Sequence, residues 1–356
     1  MAARFARCYR YKWQEYEMRT TVARFAIAVL FTSVGFGQSP DRTFYFTQPT
    51  SKADMTAMAT MIRTVVDLQE ISVDEAHQAL VSNGPVDKMV VTEWLFHQLD
   101  RQAGQSPASA SPEYRMAGDK GEVVSVFRLP ASASNADLTS LVTALRTVDD
   151  LQRLFPYQGQ NAIVARGPAE RIAAADWIVH QLYPADGTAP SGDSATYPAA
   201  FLPVGPAAGE NQVIHIFRMD PKSTNADLTS MVTAIRTVAD LMRLFPFESE
   251  KAVIAEGPAE KMAVAEWLIH ELGKPSDPQA THETRLAGDT DYVVRLFYVG
   301  QPGSPADLAS LLTQIRSTGI MRIFPFSKPA AVVLRGRPDQ MPTVEALVTK
   351  FGAEVH

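Results

Sequence analysis

The chain has 356 residues, 46% hydrophobic and 20% charged, with 33 Lys/Arg against 39 Asp/Glu. This is the composition of an ordinary globular protein, and its acidic balance argues against nucleic acid or anionic lipid as the main partner, because neutralising phosphates needs clustered Lys and Arg. The one cysteine, Cys8, leaves no disulfide and no Cys metal ligand to build with.

The N-terminus reads "RTTVARFAIAVLFTSVGFGQSP". Arg19 and Arg24 precede an apolar run from Phe25 to Phe36, and Gly35 and Gly37 follow as small residues at a cleavage point. That order is a secretory signal over residues 1–37. The run is short for a membrane span, and an uncleaved anchor is the other reading. Residues 1–17 make a long leader, so Met18 is the expected start. Without residues 1–37 the chain carries 27 positive and 37 negative side chains, a net charge of −10.

Beyond the signal, one unit is written four times. "NADLTSLVTALRTVDDLQRLFP" (135–156) returns as "NADLTSMVTAIRTVADLMRLFP" (225–246), with 18 of 22 positions identical. The copies extend over 43–99, 123–182, 213–272 and 292–351. Each opens on an alternating apolar run, such as Val124, Val126 and Leu129 against Ser125 and Arg128, which predicts a strand exposed on one side. Leu138, Leu141, Val142, Leu145 and Val148 then fall on one helical face. A hydroxyl three residues before a carboxylate signs each helix start: Ser51/Asp54, Ser134/Asp137, Thr224/Asp227 and Ser304/Asp307. Pro305 suits the first helical position. Arg63, Arg146, Arg236 and Arg316 recur in the last turns, where positive charge suits the helix dipole.

A hairpin follows, with Phe155-Pro156, Phe245-Pro246 and Phe324-Pro325 in its first strand and Ser72-Val73 in the first copy. The second strand ends at Gly84, Gly167, Gly257 or Gly336, and Pro85, Pro168 and Pro258 are expected at helix position N1. Ile172, Ala175, Ile178 and Leu182 give the closing helix its buried face. The unit is β-α-β-β-α, and the fold class is α+β. The boundaries are module 1 at 41–100, module 2 at 122–183, module 3 at 212–273 and module 4 at 291–352. The Pro/Ala/Ser/Gly-rich stretches 101–121, 184–211 and 274–290 read as flexible linkers, which makes the chain beads on a string.

This order, with "ADL" opening the first helix, "NAIVARG" as the last strand and "AERIAAADWIVHQL" as the last helix, resembles the short N-terminal, KH-like repeats of bacterial secretins. These are the ring-forming outer-membrane channels of type II and type III secretion and of type IV pili. Copies two and three match best, and the matches cover about two thirds of the chain. The secretin β-domain that builds the channel does not follow module 4. The resemblance implies modules that pack into rings, a periplasmic or envelope location, secretin or secretion-system partners or self-association, and no catalysis.

Candidate chemistry is sparse. Trp94, Trp177 and Trp267 recur on the closing helix, as the edge of the module's own core or as interface anchors. His97, His180 and His270 stand three residues on, as helix-end caps or as a metal ligand or pH switch. Asp67, Asp150 and Asp240 stand four residues after the repeated Arg, where Arg–Asp surface pairs are expected. There is no HExxH, P-loop, dinucleotide or nucleophile-elbow motif, so neither catalytic residues, a metal nor a cofactor is assigned. "GPAE" lacks the second glycine of a nucleic-acid-binding KH loop. The reading is an exported, non-enzymatic protein-binding scaffold. The alternatives are a single-stranded nucleic-acid binder using the KH-like surface, and a truncated secretin remnant. Identity between copies two and three reaches polar positions (Asn135/Asn225, Thr143/Thr233, His180/His270), through a shared surface or a recent duplication.

Overall fold

The structure is a computed structural model that describes residues 41–100, 111–117, 121–184, 194–197, 212–274, 282–285, 291–299 and 305–354. The expected signal, Ser304 and most of the linker residues lie outside them.

Module 1 runs β1 (Arg42–Tyr45), α1 (Lys52–Val65), β2 (Ile71–Asp74), β3 (Ala79–Ser82), α2 (Val86–Leu99). Module 2 runs β4 (Glu113–Arg115), β5 (Glu122–Arg128), α3 (Asn135–Thr147), β6 (Arg153–Tyr157), β7 (Ala162–Pro168), α4 (Ala169–Leu182). Module 3 repeats this as β8 (Ala195–Tyr197), β9 (Gln212–Arg218), α5 (Asn225–Val238), β10 (Arg243–Phe247), β11 (Ala252–Pro258), α6 (Ala259–Gly273). Module 4 repeats it again as β12 (His282–Thr284), β13 (Val293–Tyr298), α7 (Pro305–Ser317), β14 (Arg322–Ser327), β15 (Ala330–Gly336), α8 (Met341–Glu354). Each module is an antiparallel sheet under two helices. The strand orders are β1-β3-β2, β4-β5-β7-β6, β8-β9-β11-β10 and β12-β13-β15-β14.

The helices form for the local reasons the sequence shows. Leu138, Leu141, Leu145 and Val148 are fully buried, as are Ile172, Ala175 and Ile178. The Ser134 and Thr224 hydroxyls accept the backbone N–H of Asp137 and Asp227, whose carboxylates reach back to the cap N–H groups, a complete capping box in each case. Ser51 accepts the Asp54 N–H in the same way. Pro85, Pro168 and Pro258 sit one residue earlier than expected. Their ψ values near 140° are extended, so they cap the helix from outside it. The glycines before them are needed for close approach. A Cβ at Gly84, Gly167 or Gly257 would meet Leu68, Leu151 or Leu241 at 2.3–2.4 Å.

Two expectations are corrected. The stretches read as linkers contribute β4, β8 and β12, each a three-residue antiparallel edge strand of the following module's sheet. The modules are also not loosely strung, because Ser39–His356 forms one unit. The strand pattern explains this. Along β5 every residue from Val123 to Phe127 is buried, Ser125 included. Val123 and Phe127 face the module's own helices, while Val124 and Val126 join the core of module 1. The face carrying Val124 and Val126, which a free two-layer module would leave to solvent, is packed on the helices of the preceding module, so the strand is buried on both faces. The same holds for Ile214 and Ile216 against module 2 and for Val294 and Leu296 against module 3.

Candidate functional site

The repeated side chains come together at the three joints, where the helix layer of one module meets the sheet of the next. Each joint has an apolar centre. Phe155, Tyr157 and Val164 of module 2 pack on module 1. Phe245, Phe247 and Ile254 occupy the equivalent places on module 2, and Phe324, Phe326 and Val333 those on module 3. The Phe-Pro signature therefore marks a residue that docks onto the preceding module. Module 1, with no described module before it, carries Ser72-Val73 there.

The tryptophans sit at the rim of these joints. Trp94 of module 1 lies 5.6 Å from Tyr114 on β4 of module 2, and Trp177 of module 2 lies 5.5 Å from Tyr197 on β8 of module 3, centroid to centroid. Tyr114 and Tyr197 pair with Val124 and Ile214, which are equivalent positions in the two sheets. Trp267 packs on the cluster shared by modules 3 and 4, where Thr284 takes the place of the tyrosine. Each indole is half-buried. The anchor residues thus serve an interface inside the chain, and module 4 carries Ala346 at that position.

Two polar devices cross the joints, the first at all three and the second at the middle and third. Arg128 donates to the carbonyl of Gln98 (2.5 Å), Arg218 to that of Gln181 (2.7 Å), and the Tyr298 hydroxyl to that of Glu271 (3.1 Å). All three acceptors lie at the C-terminal end of the preceding module's closing helix, where carbonyls lack intrahelical partners. The second device uses Asp67, Asp150 and Asp240. These do not pair with the helix arginines. Arg63, Arg146 and Arg236 donate instead to the carbonyls of Ile71, Leu154 and Leu244 in the following strand. The aspartates turn the chain in the left-handed region (φ 61°, 56° and 57°), a conformation Asp tolerates. From there Asp150 meets Arg243 of module 3 at 3.7 Å, and Asp240 meets Arg322 of module 4 at 3.2 Å. Burial pushes the Asp240 carboxyl up, but Lys261 and Arg322 together reverse this and hold it below the usual carboxylate range. The hydrogen bond from Lys88 lowers Asp67, with Gln69 helping.

The middle joint carries an additional charge cluster. Arg171 of module 2 reaches Glu256 of module 3 at 2.9 Å and Asp149 at 3.4 Å, while Arg243 bonds Glu256 at 2.6 Å. Asp149 is fully buried and its Oδ2 has no hydrogen-bond partner. Burial pushes its carboxyl well above the usual range, against the pull of Arg171 and with Glu256 adding to the rise. The flanking joints lack this cluster: Val66 and Ala239 replace Asp149, and Lys88 and Lys261 stay on their own Asp67 and Asp240.

The histidines do not converge. His97 and His270 are exposed. His180 is half-buried, its Nδ1 2.8 Å from the Asp176 carbonyl one turn back and 3.4 Å from the Asp176 carboxylate. Among the described residues no group of three or more His, Cys, Asp or Glu side chains is placed to hold a metal ion, and no helix is long and apolar enough to cross a membrane. Two histidines outside the sequence motifs are better placed. His282 on β12 lies 2.7 Å from Glu271 of α6, which Lys274 also contacts, and this contact closes the third joint. His215 is buried beside Phe217 with its Nδ1 2.8 Å from the Thr196 hydroxyl, and burial lowers its pKa. The sequence signal for the joint residues was recurrence at one module position: Arg153, Arg243 and Arg322, and Arg128 and Arg218.

No family model matches the chain, and no curated protein matches it. Among solved structures it is similar to Aeromonas hydrophila ExeD, at 16% identity over 65% of this chain and 41% of that one, with a TM-score of 0.15. It is similar to the ETEC pilotin–secretin AspS–GspD complex at 14% identity, over 65% of this chain and 38% of that one, also with a TM-score of 0.15. For the type II secretion system secretin GspD of E. coli K12 the values are 12%, 65% and 39%, again with a TM-score of 0.15. The chain spans about two fifths of the length of these structures. At this TM-score the overall superposition decides nothing, and the α+β architecture rests on the chain's own modules.

Proposed function

We propose that this chain is an exported, non-enzymatic scaffold of four secretin-N-like modules that binds protein: itself, or a component of an envelope secretion or pilus machine. The observation that carries the reading is where the repeated chemistry sits. The tryptophans, the turn aspartates and the strand arginines that recur along the sequence hold modules together. A stack of this kind suits a spacer or platform. The sequence resemblance to secretin repeats supports the choice of partner class, and the signal-like residues 1–37 support export. The net charge of −10 after residue 37 weighs against the nucleic-acid reading.

The test is photo-crosslinking in the producing cell from exposed positions along the sides of the stack, such as His97 and His270, with fractionation of the products. A secretin-class or other secretion-machine protein, or lateral self-crosslinks, is the expected product. Recovery of an uncrosslinked monomer from the envelope, or of the chain bound to RNA or DNA in the cytoplasm, would refute the scaffold reading.

A further inference from the structure

Each joint has a sheet half and a helix half. The sheet halves of modules 2 to 4 and the helix halves of modules 1 to 3 are used, which leaves the sheet half of module 1 and the helix half of module 4. Both depart from the pattern at the positions that make a joint.

On module 1, Glu70 stands where Arg153, Arg243 and Arg322 stand in the other sheets, and Ser72 replaces the docking Phe. Thr43 is exposed where Val126, Ile216 and Leu296 are buried, and Tyr45 is 63% exposed. Asp41 and Asp74 lie at further positions of the same face. A helix half presents an aspartate at its turn and the carbonyl end of its closing helix, both negative. An acidic sheet face repels that surface where an arginine face attracts it.

On module 4, Gln314 is exposed where Met61, Ala144 and Ala234 are fully or almost fully buried. Thr343 is exposed where Val91, Ala174 and Val264 are buried. Gly319, at φ 89°, holds the left-handed turn that Asp67, Asp150 and Asp240 hold elsewhere, without their carboxylate. Ala346 replaces the tryptophan. A sheet laid on this face would cover an amide and a hydroxyl with no partner provided, at the cost of their desolvation.

We infer that both outer faces are closed to the joint this chain uses internally. Neither a second copy nor another module of this type docks on the sheet of module 1 or the helices of module 4, and partners built from such modules meet the stack along its sides. Terminal repeats of stacked arrays close themselves with polar outer faces for the same physical reason. The inference rests on residue types at the joint positions and stands apart from the secretion reading.

Two experiments on the full-length protein test it. In the first, one variant restores the sheet half (Glu70→Arg with Ser72→Phe) and another restores the helix half (Gln314→Ala, Gly319→Asp and Ala346→Trp). Circular dichroism confirms that each folds. Sedimentation should show a 1:1 complex when the two variants are mixed at micromolar concentration, and no such complex when either is mixed with wild type. Folded variants that fail to associate would show that these residues do not close the ends, and overturn the inference. The second experiment is independent of how those variants fold. Tyr45→Cys and Lys350→Cys, at the positions of the Arg128 and Gln98 contact, are placed on separate wild-type backgrounds lacking Cys8, then mixed with a short bismaleimide. No crosslink between copies is expected. Efficient crosslinking of Cys at 45 to Cys at 350 would show the ends meeting and overturn the inference.

Discussion

The joint between modules 2 and 3 can be weighed at one residue pair. Trp177→Ala removes a half-buried indole whose partner across the joint is Tyr197, at 5.5 Å. An indole in this setting buries about 150 Å² of apolar surface, which at about 25 cal/mol per Å² amounts to about 4 kcal/mol. An unfolded chain that already hides part of that surface lowers the figure to about 3 kcal/mol. Only part of it belongs to the joint. A double-mutant cycle with Tyr197→Ala isolates that part, and an aromatic pair of this separation should couple by about 0.5–1.5 kcal/mol. The assay is urea unfolding followed by tryptophan fluorescence and, in parallel, by far-UV circular dichroism. Wild type should unfold modules 2 and 3 together. The double variant should show either lower cooperativity or a midpoint deficit smaller than the sum of the single deficits. Additive single effects, with no coupling, would mean that Trp177 packs on its own module alone and that β8 does not belong to the joint.

Three further outcomes are expected. Leu141→Asp or Ile178→Asp should unfold module 2, because each puts a charge at a fully buried position at a cost of several kcal/mol; an unchanged circular dichroism melt would contradict the core assignment. Asp149→Asn should change the pH dependence of stability: burial raises this carboxyl in the folded state, so the folded state binds the proton more tightly and stability falls as pH rises above the usual carboxylate range. The variant loses that fall, so its urea midpoint should gain on wild type more at pH 7 than at pH 4, and an equal difference at both values would count against the assignment. N-terminal sequencing of protein from the producing cell should begin near Gln38, whereas an intact Met1 or Met18 on cytosolic protein would contradict export.

What could be read in the sequence was local, and what could not was the joint. The phase of Leu138, Leu141 and Leu145, and the Ser134/Asp137 cap, depend on neighbours within one helical turn, so periodicity and capping rules reach them. Asp150 depends on Arg243, ninety-three residues on, and nothing near Asp150 announces that partner. The nearer arginine, Arg146, is taken by the Leu154 carbonyl, so the local pairing rule pointed to the wrong partner. Strand β5 looked half-exposed because Ser125 and Arg128 are polar, yet Ser125 is buried with its hydroxyl donating to the Pro112 carbonyl and Arg128 is held by the Gln98 carbonyl. The edge strands β4, β8 and β12 have three residues each, too few for an alternation to show within Pro- and Ala-rich text. The tryptophans recurred at one position, and recurrence alone could not tell an interface within the chain from one between chains.

The near-identity of modules 2 and 3 can now be read against these joints. The shared polar positions have local roles: Thr143 and Thr233 bond the carbonyl one turn back, and Asn225 is tied to Glu248 and Lys251 of its own module. Three of the differences of charge lie at joint positions: Asp149 against Ala239, Arg166 against Glu256, and Arg171 against Lys261. Arg166 and Glu256 are equivalent residues of opposite sign. Arg166 faces the Val65 and Val66 carbonyls of module 1, which accept from a cation. Glu256 faces Arg171, whose planar fork reaches across the joint where the lysines at 88 and 261 stay with their own turns. Exchanging modules 2 and 3 would set Glu256 against acceptor carbonyls and Arg166 against Lys261, and both contacts are unfavourable. A common binding surface would hold the exposed positions alike, yet Pro130/Asp220, Ser132/Lys222 and Gln158/Glu248 are exposed and differ in charge, and it would leave no reason for the joint positions to part. A duplication followed by divergence at the joints accounts for both, and it yields a stack whose modules fit in one order.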